Sequence, residues 1–192
     1  TSATLHDTYG YGYYEEFRPN NKLSKFGMTY YDADGNQVKR TDFVRKKGLT
    51  QHTYGLNWNA NYKDERWNVI GGLSVQNFDG NHFGYVTYIA NPDVANKYLN
   101  NGAHKYYDSD AHKLDGSAFV KAAYNITEHW SLFGDVQYRY VDYKTNGIND
   151  KFYDDESGYY NQPLDIHKTY HFFNPKGGVS WNKNDHHVYG SV

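Results

Sequence analysis

Apolar and polar side chains alternate with a period of two over the clearest stretch of the chain, residues 53–62. The apolar set consists of Tyr54, Leu56, Trp58, Ala60 and Tyr62. The intervening set consists of Thr53, Gly55, Asn57, Asn59 and Asn61. Successive side chains of a β-strand point to opposite faces, so this pattern predicts a strand with one apolar and one polar face. Similar alternation follows in residues 67–76, 114–125 and 130–140.

These stretches group into three predicted hairpins, each with a tiny polar turn. The turns are Lys63-Asp64-Glu65, Thr127-Glu128-His129 and Lys183-Asn184-Asp185. Large aromatic residues flank them, namely Tyr62, Trp67, Tyr124, Trp130 and Trp181. The sequence therefore predicts one edge of a sheet that has short turns and a row of aromatic rings.

The links between the hairpins are long and rich in Tyr, Asp and Asn. They cover roughly residues 80–112 and 147–168, and an earlier one covers about 17–47. The remaining strands would be about 10 to 14 residues long, enough to cross a bilayer when tilted. One short helix is expected at Pro92–Leu99, inside a loop.

Short turns at one edge, long loops at the other and aromatic rings beside the short turns are typical of an outer-membrane barrel wall. We therefore predict an all-β fold for residues 1–192, an antiparallel meander of about six to seven long strands that forms an open segment of a transmembrane β-barrel. A soluble sandwich would show the same alternation. It would not concentrate Tyr and Trp at the ends of its apolar face, as a membrane interface does.

Composition agrees with this interpretation and excludes other classes. The chain has 192 residues, 22 of them Tyr and 18 Gly. Its mean hydropathy is −0.95, which a barrel tolerates because only every second residue faces lipid. A net charge of −2 argues against a nucleic-acid partner. The absence of Cys excludes disulfides and cysteine-bound metal.

Both ends of the sequence fall inside stretches that resemble strands, and no signal peptide opens the chain. We expect it to be an internal piece of a longer protein.

Several strings resemble the barrel of TonB-dependent outer-membrane receptors, especially the type abundant in Bacteroidetes. They are Gly12-Tyr13-Tyr14-Glu15-Glu16, Gly80-Asn81-His82-Phe83-Gly84, Gly134-Asp135-Val136-Gln137-Tyr138-Arg139, Asp142-Tyr143-Lys144, Gly147-Ile148-Asn149-Asp150 and Phe173-Asn174-Pro175-Lys176-Gly177-Gly178-Val179-Ser180-Trp181. Their order along nearly the whole chain is the one expected in that family.

The resemblance implies a barrel of roughly 22 strands, closed by an N-terminal plug domain. Such a receptor imports a scarce nutrient, a siderophore, vitamin or glycan, with energy from an inner-membrane TonB complex. Its other partners are outer-membrane lipid and its own plug, and it is expected to be no enzyme and to need no cofactor. This chain shows no plug or energy-coupling box before Thr1. About seven strands also cannot close such a barrel.

Two groups of residues are candidates for ligand contact. Tyrosines of the predicted loops could stack on a ring-bearing ligand: Tyr106, Tyr107, Tyr153, Tyr159 and Tyr160. Loop self-packing explains them equally well. Polar residues opposite the apolar face would line the lumen, where they contact the plug or the nutrient: Asn57, Asn59, Asn61, Gln76, Lys121, Asp135, Gln137 and Arg139.

Catalytic and metal motifs are weak. No Ser/His/Asp set, phosphate-binding Gly loop or zinc spacing occurs. The carboxylates Asp150, Asp154, Asp155 and Glu156 supply the oxygen ligands that calcium prefers, without the usual spacing of a calcium loop. A secreted, soluble β-rich binding module with Tyr-rich ligand loops is the alternative to the outer-membrane transporter.

Overall fold

Strands make up 78% of the described residues. The computed structural model describes residues 1–155 and 158–192, without the side chains of 154, 155, 158 and 159. The strands are β1 (Ser2–Lys22), β2 (Arg40–Lys63), β3 (Trp67–Ile89), β4 (His104–Asn125), β5 (Trp130–Asp155), β6 (Gly158–Lys183) and β7 (His186–Ser191). A 3-10 helix (Leu23–Phe26) and helix α1 (Pro92–Tyr98) lie between strands. No helix of the described residues has the length and apolar character to cross a membrane.

Each strand pairs antiparallel with the next, in the order β1 to β7, and the sheet does not close. This confirms the predicted all-β antiparallel meander. The connections 64–66, 126–129 and 184–185 share one rim, as predicted, because alternate turns of a meander fall at the same edge. We call it the short-turn rim. The opposite edge, with the connections 23–39 and 90–103, is the long-loop rim.

Side chains close the short turns. In the first turn, Asp64 Oδ1 accepts hydrogen bonds from the backbone N–H groups of Arg66 at 2.8 Å and Trp67 at 2.7 Å. Thr127 Oγ1 accepts two backbone N–H groups in the same way in the second turn. Short polar side chains satisfy the backbone donors that such turns leave free, which is why these residues occur there.

The strands are longer than predicted. Strands β1 to β6 contain 21 to 26 residues, so the predicted loops at 80–112 and 147–168 are mostly strand. Ladder hydrogen bonds need no apolar side chains, and polar side chains here reinforce the pairing. Asn81 Nδ2, for example, donates to Asp108 Oδ1 at 2.6 Å and to Asp110 Oδ1 at 2.8 Å. The short helix predicted at Pro92–Leu99 is confirmed as α1.

One face of the sheet carries a continuous apolar band in its short-turn half. Residues directly opposite each other in neighbouring strands share a face, so the register defines the band. Eight large apolar residues of the predicted strands share it: Leu56, Trp58, Val69, Leu73, Val120, Leu132, Val136 and Val179. Six of them are 39% to 54% exposed, and Val69 and Val179 are half-buried. The band is therefore open to its surroundings.

The band has a distinct border on each side. At the short-turn rim, the ring of Trp67 lies 4.6 Å from that of Tyr124, and the ring of Trp130 lies 6.5 Å from that of Trp181. Towards the long-loop rim the same face carries more polar side chains, mixed with aromatic ones such as Tyr11, Tyr13 and Phe83. Three contacts between neighbouring strands mark this border: His52–Asp7 at 3.0 Å, His112–Asp79 at 2.6 Å and His167–Asp142 at 2.7 Å.

The opposite face is concave near the long-loop rim. Lys47 of β2 donates to Asp150 of β5 at 2.5 Å, although β3 and β4 lie between these strands. Neighbouring strands lie about 4.8 Å apart, so a flat sheet would separate β2 from β5 by roughly 14 Å. The sheet therefore curls towards this face. We call it the concave face, and the face with the apolar band the convex face.

The fully buried side chains collect where the two long connections fold onto the concave face. Their cluster consists of Leu23, Phe26, Met28, Phe43, Val86, Ile89 and Val94. Helix α1 begins after Asn91, whose side chain accepts the N–H groups of Asp93 at 3.0 Å and Val94 at 3.1 Å. This capping fixes the helix so that Val94 is completely buried. The small core holds both connections over the upper end of the concave face.

Candidate ligand-binding site

A β-bulge turns two tyrosines over the concave face near the long-loop rim. The register between β3 and β4 shifts after Gly84, which leaves Tyr106 unpaired and Tyr107 opposite Gly84. Their rings lie 5.0 Å apart in an edge-to-face arrangement. A Cβ atom at Gly84 would overlap both rings, so glycine allows this close approach.

A second bulge brings a carboxylate to the same place. Residues 149–151 of β5 together face Gln162 of β6, where the register shifts. Asn149 stabilises the bulge: its Nδ2 donates to Gln162 Oε1 at 3.1 Å, and its Oδ1 accepts the N–H of Lys151 at 2.7 Å. The bulge places Asp150 over the concave face, where it reaches β2. Bulges commonly redirect a side chain in this way.

Two cationic side chains of β2 meet Asp150. Its Oδ2 accepts from Lys47 Nζ at 2.5 Å and lies 3.8 Å from Arg45 Nη1. Arg45 also donates through Nε and Nη2 to Glu16 Oε2 at 3.0 and 2.7 Å, while Arg18 donates to Glu16 Oε1 at 2.8 Å. The hydrogen bonds from Arg45 and then Arg18 lower the pKa of Glu16, so its carboxylate stays charged. The Arg45 and Lys47 side chains are only 17% and 22% exposed.

The two tyrosines remain neutral donors. Burial raises the pKa of Tyr106 to about 12, and burial also raises the pKa of Tyr107. Both phenols therefore keep their protons at neutral pH and add no negative charge. No hydrogen bond of normal geometry reaches the buried Tyr106 hydroxyl within the described part of the chain.

Two clefts lie on either side of the Asp150 carboxylate. The larger, of about 430 Å³, is lined by Lys47 and Tyr107 among others, and the smaller, of about 250 Å³, by Arg45 and Tyr106 among others. Asp150 lines both. The clefts and their ion pairs contain more cations than carboxylates. The described cations are Arg18, Lys25, Arg45 and Lys47, and the described carboxylates are Glu16 and Asp150.

The five tyrosines expected in loops lie in strands instead. Tyr106 and Tyr107 are in β4, Tyr153 is in β5, and Tyr159 and Tyr160 are in β6. Of these, the structure brings the first two to the clefts. The rings of Tyr153 and Tyr160 stack on each other with centroids 5.5 Å apart, which agrees with packing among the tyrosines themselves. The side chain of Tyr159 lies outside the described residues.

The eight residues predicted to face the lumen all lie on the concave face: Asn57, Asn59, Asn61, Gln76, Lys121, Asp135, Gln137 and Arg139. They occupy the level of the apolar band, below the clefts. Arg139 donates through Nε and Nη2 to the Asp115 carboxylate at 2.8 and 2.6 Å, and Ser74 donates to Asn57 at 2.6 Å. These residues form a polar wall and do not line the clefts.

Of the four carboxylates suggested as calcium ligands, the structure describes the side chain of Asp150. Asp154, Asp155 and Glu156 lie outside the residues whose side chains are described. Asp150 is engaged with Lys47. Among the described residues, no group of three or more His, Cys, Asp or Glu side chains could hold a metal ion.

Sequence reasoning missed the cations of the site. Arg45 and Lys47 lie in β2, but they fell in the segment expected to be a loop, 17–47. Apolar and polar residues do not alternate over residues 43–49, where Arg45, Lys46 and Lys47 are consecutive cations, so periodicity gave no signal for a strand there. Their meeting with Asp150, 103 positions beyond Lys47, depends on the register of four strands.

The chain matches no protein-family model and no curated protein.

Chemically, the site combines charged donors with aromatic rings. Lys47 and Arg45 line the clefts, and Lys and Arg side chains bind anionic groups. The Tyr rings offer apolar faces with a donating hydroxyl. The arrangement is suited to holding a small molecule.

Proposed function

We propose that this chain forms part of the barrel wall of a TonB-dependent outer-membrane transporter, which imports a scarce nutrient such as a siderophore, vitamin or glycan. The observation that carries the proposal is the uncovered apolar band on the convex face, with aromatic rings along its short-turn border. Lipid would cover this band. The resemblance in sequence names the family and adds the plug domain and the TonB complex as partners.

The height of the band supports a bilayer location. On β5 the band runs from Trp130 to Tyr140. At about 3.3 Å per residue and a tilt of about 45°, this length spans roughly 23 Å, close to the ~25 Å apolar belt of outer-membrane barrels. Beyond it, the same face carries the His–Asp contacts that suit water and polar headgroups.

A soluble binding module would need a cover for this face. Monomeric soluble proteins rarely expose contiguous apolar patches larger than several hundred Å². Nothing among the described residues packs over the band: the helices and long connections fold onto the concave face instead. The polar concave wall suits a hydrated lumen, with the clefts at its outer end.

Cysteine labelling tests the orientation and location together, because the chain itself has no Cys. The matched variants are Asn101→Cys at the long-loop rim and Glu128→Cys at the short-turn rim, both exposed. Each is made in the full-length protein with any other cysteine removed. Intact cells are treated with a membrane-impermeant maleimide, and the outer membrane is then isolated.

We expect label on Asn101→Cys in intact cells, and label on Glu128→Cys only after the outer membrane is permeabilised. Both variants should remain in the outer-membrane fraction. Equal labelling of the two in intact cells, or recovery of the protein in a soluble fraction, would contradict the proposal.

A further inference from the structure

We infer that the ligand taken up is a compact, ring-bearing anion, and that it binds by displacing the Asp150 carboxylate from Arg45 and Lys47. The inference rests on the proposed function, since it names the substrate class of that same site. Its decisive feature is that Asp150 occupies the anion position between two cations of another strand.

The charge around the clefts favours an anion. Glu16 is held by Arg45 and Arg18, so Arg45 still directs its Nη1 towards Asp150, 3.8 Å from Oδ2. Lys47 has Asp150 as its acceptor. Both cations are largely shielded from water. An incoming carboxylate or phosphate would therefore form charge-assisted hydrogen bonds that are stronger than the same bonds at a fully exposed surface.

Asp150 is suited to be displaced. It projects from a bulge at residues 149–151, and the hydrogen bond that ties this bulge to Gln162 comes from Asn149 and does not use the Asp150 side chain. Its side chain is 33% exposed, so water can receive the carboxylate once a ligand replaces it. The carboxylate therefore acts as an internal competitor for the anion site.

The aromatic side chains specify the rest of the ligand. Tyr107 and Tyr14 line the larger cleft beside Lys47, while Tyr106 and Phe152 line the smaller one beside Arg45. The Lys47 ammonium lies 5.7 Å from the centre of the Tyr107 ring, so cation and ring face the same space. A ring on the ligand would pack on these faces while its anionic group meets the cations. The larger cleft, about 430 Å³, admits a small molecule of one or two rings.

The test uses two probes of the same shape and different charge, 4-hydroxybenzoate and 4-hydroxybenzamide. Calorimetry measures their binding to the full-length protein in detergent. The protein carries Asp150→Asn, Lys47→Ala or the control Asp165→Asn. The control makes the same change of charge at an exposed position on the opposite, convex face.

We expect 4-hydroxybenzoate to bind and the amide to bind at least tenfold more weakly. Asp150→Asn should tighten benzoate binding by about fivefold, because the internal competitor loses its charge, a change that corresponds to about 1 kcal/mol. Lys47→Ala should weaken it at least tenfold, and Asp165→Asn should change it less than twofold. A merely structural ion pair would predict no tighter binding in Asp150→Asn.

Equal affinity for the two probes would overturn the inference. So would an Asp150→Asn variant that binds benzoate no more tightly than Asp165→Asn, or no benzoate binding at millimolar concentration. Each of these results leaves the cysteine-labelling pattern unchanged, so failure of this inference is distinguishable from failure of the proposed function.

Discussion

Two adjacent residues on β5 offer the sharpest test of the convex face. Val136 lies on the apolar band, 46% exposed, between Val120 and Pro175 of the neighbouring strands. Gln137 is the next residue and lies on the concave face, half-buried. The substitutions Val136→Arg and Gln137→Arg place the same side chain at the same depth on opposite faces.

The expected difference follows from the position of Val136 near the middle of the band, which runs from Trp130 to Tyr140 on this strand. An Arg facing lipid at the midplane of a barrel costs about 2–4 kcal/mol. An Arg facing water on a half-exposed strand changes stability by about 0.5 kcal/mol or less. Val136→Arg should therefore lower the free energy of unfolding by about 2–4 kcal/mol relative to Gln137→Arg.

Urea unfolding of the full-length protein in lipid vesicles, followed by Trp fluorescence, measures this difference. With a slope of about 2 kcal/mol per molar urea, the midpoint of Val136→Arg should fall by roughly 1–2 M below that of Gln137→Arg. Midpoints that agree within about 0.3 M would refute the argument, because the convex face would then meet water. A larger loss for Gln137→Arg would reverse the assignment of the two faces.

Further expectations concern the clefts and the two rims. Gly84→Ala should lower the free energy of unfolding by about 1–3 kcal/mol, because the new Cβ overlaps Tyr106 and Tyr107. Gly116→Ala has open space around its Cβ and should change the same quantity by about 0.5 kcal/mol or less in the urea assay. Equal losses in the two variants would contradict the packing argument. The pKa of Glu16 is lower in the folded protein than its ordinary value of 4.5, so its ion pairs stabilise the fold fully above pH 4.5. This stabilisation is lost as the pH falls through the pKa of Glu16 in the folded protein. Acidification should therefore lower the free energy of unfolding more in the wild type than in Glu16→Gln. Tyr107→Ala should weaken calorimetric binding of 4-hydroxybenzoate, because its ring lines the larger cleft beside Lys47. Asp64→Ala at the opposite rim should leave this binding unchanged, and the reverse result would place the ligand at the short-turn rim.

The local pattern of the chain was sufficient to predict the strands that form the band and the faces of their side chains. Alternation assigned residues such as Trp58 and Asn59 to opposite faces, and the register confirms that assignment. Turn chemistry at Asp64 and Thr127 located the short turns. These features are local, because successive side chains alternate and a turn satisfies its own backbone donors.

The upper parts of the strands were not predicted. The segments around Asn81 and Asp108 are rich in polar residues, so their composition suggested loops. Hydrogen bonds between neighbouring strands nevertheless keep these segments in the ladder. Pairing with a strand far along the sequence supplies this stabilisation, and single-strand periodicity contains no information about it.

The sequence by itself thus determined an all-β meander with one apolar face and one short-turn rim. The tertiary structure alone decided where the charged site lies, because Lys47 and Asp150 are 103 positions apart and meet only when four strands pair in register and the sheet curls. A bulge of residues 149–151 then directs the carboxylate inward. Alternation fixes which face a side chain joins, but curvature and bulges fix which side chains meet across that face.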